Sequence, residues 1–445
     1  MNNGSKGRCV TITPQGKQEK DIALKAVGTQ MFSMNKKLRN RLLALGCLGI
    51  FLALGVAFYV NWVVQRPFAV ILFLSDNLTA SALTPARIYE GGADHRLRIE
   101  RMPHLALIST QANDFAVADS ASAAAMIATG QKINNRTLGI DSTGRALVTL
   151  IDRAREKGRA TGLVTNASLT APTAAAFFAK TSDPLDSERI AENLATASNI
   201  NVLLGGGAAD FLPDFKDGRR RDGRDLILEM RNKGYDIVRN RSEMDSTPVW
   251  RAPKVLGLFS SGDLGFADEI TTSGAQPSLS EMVLQAIRFL QYNRKGYLLV
   301  VDAGLAGKAA ANNEGERMLR ELISLDLAVS TALEYAGDEA LIIVAGKQAL
   351  GGLRLNGFPF RNDKGAGVLG INAQGVASIT WSTGPGSGTT ASPDGVVSAE
   401  PSAFRTASAI GTAEDSLVLS TGPGSETFTG FRDNTAIFHL IDKGL

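Results

Sequence analysis

Cysteine is almost absent from this chain: Cys9 and Cys47 are the only two, and both precede residue 48. Everything after that point folds without disulfides and carries out no thiol chemistry. Histidine is nearly as scarce, with only His95, His104 and His439, which limits any site that needs imidazole ligands. Aromatic residues make up 6% of the chain against 44% hydrophobic overall, so the core has to be aliphatic and rich in alanine. A strong charge imbalance is also missing. The net charge of +3 is too small to point to nucleic acid as a partner. Much of that excess lies in the first 41 residues, where Lys6, Arg8, Lys17, Lys20, Lys25, Lys36, Lys37, Arg39 and Arg41 stand against only Glu19 and Asp21.

A long uncharged run follows those basic residues. Leu42 to Val60, "LLALGCLGIFLALGVAFYV", is 19 residues without a charge, enough to cross a bilayer core as a helix. Basic residues stand before it, and Tyr59 and Trp62 stand at its far end, where aromatic belts form. Three segments result: a basic cytoplasmic stretch over 1–41, a transmembrane anchor over 42–62, and one large domain over 67–445. The positive-inside rule leaves the N-terminus in the cytoplasm. The protein is then a single-pass cell-membrane protein with its main domain periplasmic or extracellular. The competing reading is a cleaved signal peptide that starts at Met34 and is cut after "GVA", Gly55 to Ala57. Apolar residues continue past that site, which favours the anchor.

Beyond Arg66 the pattern is one of apolar runs alternating with helical stretches. "FAVILFLSD" ending at Asp76, "GLVTNAS" (162–168), "NVLLGGG" (201–207), "VLGLF" (255–259), "GYLLVVD" ending at Asp302 and "ALIIVAG" (340–346) are near-continuous apolar runs. Such runs suit parallel strands covered on both faces. Ser278 and Glu281 form a capping-box pattern ahead of one intervening helix. In another, Leu325, Val329 and Leu333 share a face, and Gly337 stops the helix. Strand–helix alternation of this kind predicts an α/β fold with a large, mostly parallel sheet. "STGPGS" occurs twice, at 382–387 and 420–425, each time after a β-type run, and predicts strands ending in similar turns. "DGRRRDGRD" (217–225) mixes both signs and reads as a solvated loop. In open sheets of this class ligands bind beyond the carboxyl ends of the strands. That directs attention to Asp76, the segment after Asp119, residues 170–173, 302–311 and 346–347.

One of those segments, "NDFAVADSASAAAMIATGQKINNRTLGID" (113–141), resembles the nucleophile segment of alkaline phosphatases: an Asp-Ser pair, a helix of small residues, a "TG", and a glycine before an acidic residue. "TGLVTNASLTAPTAAAF", "LLGGG", "LGLF", "PSLSEM", "ANNEGERMLRELISLDLAV" and "LIIVAG" resemble further landmarks of that family, in the same order, from about Pro67 onward. The resemblance implies an alkaline-phosphatase-like α/β/α sandwich. It also implies a serine that attacks a phosphomonoester, two zinc ions, a magnesium and a phosphate-clamping arginine. Ser120 matches the nucleophile, Asp76 the carboxylate bridging a zinc and the magnesium, and Thr173 the magnesium-site threonine. Asp302 stands where the family has a glutamate.

The remaining positions depart from the family. Gly307 and Ala311 stand where a zinc Asp and His belong, Thr412 near a distant zinc His, and Gly346-Lys347 in place of an Asp-His pair. Pro184 falls where the clamping arginine belongs, and Ala171 where a metal-site Asp or His is usual. Zinc sites take His, Cys and carboxylate ligands, three or four per ion, and such ligands are lacking at these positions. The expectation is a membrane-anchored pseudoenzyme with no zinc, in which Lys347 replaces part of the metal charge beside Asp76 and Ser120. It binds an unidentified protein or an anionic ligand, with a homodimer implied by the resemblance. The alternative is a hydrolase that uses Ser120 with a single magnesium on Asp76, Thr173 and Asp302.

Overall fold

The protein is described from a computed structural model that covers residues 36–58, 68–197, 199–251, 253–356, 369, 377–386 and 400–445. The chain divides into two compact units, Met1–Gln65 and Arg66–Leu445. The first contains one described helix, Lys36–Phe58, long and apolar enough to cross a membrane by length and composition. A signal sequence meets the same test. The basic residues Lys36, Lys37, Arg39 and Arg41 lie within this helix rather than before it. Met34, Tyr59 and Trp62 lie outside the described residues.

The second unit is built on a ten-stranded sheet. Its strands are β1 (Ala69–Ser75), β2 (His104–Ser109), β3 (Ala160–Ser168), β4 (Val202–Gly206), β5 (Tyr235–Val238), β6 (Lys254–Leu258), β7 (Tyr297–Ala303) and β8 (Ala340–Gly346). Four short strands follow: β9 (Ala349–Leu350), β10 (Arg354–Leu355), β11 (Ile379–Gly384) and β12 (Ser402–Arg405). The chain closes with β13 (Gly411–Thr412), β14 (Ser416–Thr421) and β15 (Gly430–Asp433). The large sheet runs β15-β2-β14-β8-β1-β7-β3-β4-β6-β5. Only β14 opposes the rest, pairing antiparallel with both β8 and β2. The six apolar runs read from the sequence are β1, β3, β4, β6, β7 and β8. Strands β2 and β5 were not anticipated. In β2, Leu105 and Leu107 are exposed, so that strand lacks a continuous buried apolar run.

Alternate residues of β1 pack on opposite faces of the sheet, which gives three layers. Val70, Leu72 and Leu74 belong to the cluster on one side, with the alanines of the helix Ser120–Thr129. Ile71 and Phe73 belong to the cluster on the other side, with the helices Leu279–Leu290 and Gly315–Tyr335. The capping box of Ser278 and Glu281 is present as anticipated. Two sequence readings need correction. Leu333 is exposed, and the buried face of its helix runs through Leu325, Val329 and Ala332. The segment 217–225 is not simply a solvated loop, because Arg220 is buried and binds Glu188 O, Asp210 O and Asp222. A guanidinium can enter the core when its donors are satisfied in this way.

The C-terminal part is tied to the helix Gly315–Tyr335 by buried Glu400, which accepts from Gly315 N at 2.8 Å and Trp381 Nε1 at 3.0 Å. Burial pushes its carboxyl up from 4.5 to about 7, against the pull of those two bonds. The folded state therefore keeps a proton that the unfolded chain has lost across that window, and stability falls as pH rises through it. Glu400→Gln is expected to remove this share of the slope, at most about 3 kcal/mol. Urea denaturation of both proteins at about pH 5 and about pH 7.5 checks it. An unchanged slope would show that the carboxyl does not titrate there.

Candidate functional site

Parallel pairing brings the chemistry to one end of the sheet. Ser75 on β1 is level with Ala303 on β7 and with Gly346 on β8. Asp76, Asp302 and Lys347 therefore sit within one step of that level, at the ends of three adjacent strands. Lys347 N donates to Ser75 O at 3.0 Å, which keeps the chain extended beyond β8. The side chain of Lys347 is 0% exposed and that of Asp76 is 6%, so both charges are out of water. They form an ion pair. The same ammonium donates to Ser120 Oγ at 3.0 Å.

Ser120 is the first residue of its helix rather than the cap. Asp119 is the cap and accepts from Ser122 N, so the Ser120 hydroxyl is left to point elsewhere. Ser120 Oγ also lies 3.3 Å from Thr173 Oγ1, on the short helix Pro172–Ala175 that Ala171 precedes without a side-chain cap bond. Asp302 is buried, and one oxygen accepts from Thr165 Oγ1 at 2.9 Å. Its other oxygen, Oδ1, has no hydrogen-bond partner. Burial pushes its carboxyl up to about 6; the charge on Lys347 opposes that shift and the charge on Asp76 adds to it.

Thr165 went unnoticed in the sequence. It is one of four polar residues in β3, and only the pairing of β3 with β7 sets it level with Asp302.

The helix Leu305–Ala311 rests directly on Asp76. A Cβ on Gly307 would fall 2.1 Å from Asp76 Oδ2. Ala311 O accepts from Ala409 N at 2.8 Å, and Thr412 pairs with Ala349, two residues past Lys347. Gly307 therefore abuts Asp76 and Gly346 adjoins Lys347, while Ala311 lies one turn further along its helix and Thr412 pairs two residues past Lys347. At Gly346 a Cβ would fall 2.8 Å from Leu78 O and Ser416 Cβ. Pro184 lies between Thr181 and the helix Ser187–Ala197 and brings no donor to the site.

At Gly307, Ala311, Gly346, Lys347 and Thr412 the side chains offer no imidazole, thiolate or carboxylate. His439 bonds Gly130 O, and His104 begins β2, level with Ile343 in the middle of β8 and separated from it by β14. Chemically, the cluster is an enclosed ammonium shared by a carboxylate and a serine. The ammonium donates to Ser120 Oγ, and Asp76 is engaged by it, so neither group is free to take the serine proton.

A family model described as alkaline phosphatase matches residues 69–445. The tissue-nonspecific alkaline phosphatase of Gallus gallus is 30% identical over 309 aligned residues, covering 59% of each chain. Alkaline phosphatase 4 of Bacillus subtilis is 29% identical over 249, covering 54% of this chain and 51% of that one. The chain thus spans roughly half to three-fifths of the length of these curated relatives. The solved alkaline phosphatase from the Antarctic bacterium TAB5 superposes with a TM-score of 0.68 at 22% identity, covering 86% of this chain and 98% of that one. The Thermus thermophilus alkaline phosphatase gives 0.69 at 25% identity, covering 86% and 92%.

Proposed function

This chain belongs to the alkaline phosphatase family, and we propose that it is a membrane-anchored member in which the two-zinc phosphomonoester reaction no longer operates. The observation that carries this reading is Lys347: a fully enclosed ammonium bound to Asp76 and to Ser120 Oγ. Phosphoryl transfer to a serine needs an activated hydroxyl and a concentrated positive charge for the phosphoryl oxygens. Here the positive charge is spent on Asp76, and the hydroxyl accepts a bond instead of losing a proton. Without zinc ligands and the clamping arginine, several powers of ten in rate have no source. What remains is a binding role, toward a protein or an anionic ligand, with the helix Lys36–Phe58 as the anchor and the domain on the outer side.

Full-length protein in detergent, assayed with a chromogenic phosphomonoester plus zinc and magnesium, is expected to turn over no faster than its Ser120→Ala variant. It should also retain no stoichiometric zinc by elemental analysis. Metal-dependent turnover lost in Ser120→Ala would overturn the reading. One observation favours a second reading. The unpartnered oxygen of Asp302, with Asp76 and Thr173, is the kind of oxygen set that suits a single magnesium ion. Turnover that needs magnesium alone would select it.

A further inference from the structure

We propose that this domain has a second binding site, a cavity apart from Asp76 and Lys347 that takes a small apolar molecule carrying a protonated amine. The inference does not rest on the reading above.

The cavity measures about 330 Å³, at the small end of the range for ligand pockets, about 300–1,000 Å³. It lies among the helices Ala80–Gly91, Ala267–Ser273, Leu279–Leu290 and Gly315–Tyr335, with Asn166 of β3 in its lining. Ile270, Leu279 and Ile323 make much of that lining apolar, which suits a single ring or a short hydrocarbon chain.

The charged groups decide which head the ligand carries. Glu321 lines the cavity and is 2% exposed. Its carboxyl is held between two other lining residues: Oε1 accepts from Ala267 N at 2.7 Å and Oε2 from Asn166 Nδ2 at 3.0 Å. Both donors are neutral, and two bonds leave a carboxylate with further acceptor sites. Burial pushes this carboxyl up from 4.5 to about 7; Asp268 and Glu269 add to the shift, and Arg317 opposes it. A cation placed beside it would keep it ionised and gain a charge-assisted hydrogen bond in a site largely out of water. Glu90 and Asp268 also line the cavity. Among the described residues, Arg320 is the one base in the lining. Glu316 already binds its guanidinium at 2.6 and 3.0 Å, and that guanidinium lies over the ring of Tyr89. An anionic head would therefore meet three carboxyl groups and a guanidinium already engaged. A neutral head would forgo the charge-assisted bond.

Titration calorimetry on the full-length protein in detergent tests this with three probes of similar size: phenethylamine, phenethyl alcohol and 3-phenylpropionate. Phenethylamine is expected to bind once per chain. Phenethyl alcohol should bind at least about tenfold more weakly, and 3-phenylpropionate should give no saturable heat. Ile323→Trp fills the cavity from a half-buried position without touching the carboxyl, and it should abolish binding of the amine. Glu321→Gln should weaken the amine about tenfold and leave the alcohol unchanged. The proposal fails if phenethylamine gives no saturable heat, if the alcohol binds as tightly as the amine, or if Ile323→Trp binds the amine like the wild type. Undiminished affinity for the amine in folded Glu321→Gln would also overturn it. If Glu321→Gln does not fold, the preference of the wild type for amine over alcohol and its loss in Ile323→Trp decide the matter.

Discussion

Asp76→Asn should lower the free energy of unfolding by about 3–5 kcal/mol, the range for breaking one side of a buried ion pair. The substitution is nearly isosteric, so the effect is electrostatic rather than steric. It leaves Lys347, with no exposed surface, bound only to neutral oxygens. Taking an ammonium out of water costs several kcal/mol, and in the wild-type protein the Asp76 carboxylate offsets that cost. Guanidinium denaturation at neutral pH measures the difference through the midpoint at constant m-value. A loss below about 1 kcal/mol, the range of a solvated surface pair, would show that water reaches the lysine. The pair would then be much less dry than its geometry indicates.

Gly307→Ala is the second large effect, and its sign is opposite to that given by helix propensity. Gly307 lies inside the helix Leu305–Ala311. In an open helix, alanine at such a position stabilises by about 1 kcal/mol over glycine. Here the new Cβ would stand 2.1 Å from Asp76 Oδ2. That oxygen cannot swing away freely, because its carboxylate is held by Lys347. The helix or the ion pair must move, at about 1–3 kcal/mol for an overpacked methyl. A net loss of about 1–2 kcal/mol is expected, read from the same denaturation curves. Asp76→Ala combined with Gly307→Ala separates the causes: if the methyl collides with Asp76, the pair of substitutions costs less than the sum of the two. Additive losses would place the collision elsewhere. The same contact means that an aspartate at 307 would meet both steric overlap and like charge.

Particular residues show how much was legible in advance. β1, β3, β4, β6, β7 and β8 could be read because strands buried on both faces must be apolar along their whole length. β2 and the burial of Arg220 could not, since each depends on what lies next to it. Ser120, Asp76 and Asp302 stood out because each lies at the start or end of a recognisable element. Thr165 had no such signal. The role of Asp119, which caps the helix and leaves the Ser120 hydroxyl out of the cap, depends on local dihedrals that an Asp-Ser pattern leaves open.

The amino-acid sequence alone determined the inventory: aliphatic strands for a parallel sheet, a serine at a helix start, and only three histidines in the whole chain. Only the tertiary structure decided which charges meet at the carboxyl ends of the strands. The register of β1 against β8 sets Lys347 beside Asp76, and the close seat of the helix at Gly307 closes the space over them. Both are distances across the sheet. Order along a chain carries donors and charges, but it does not say which of them meet in a place without water.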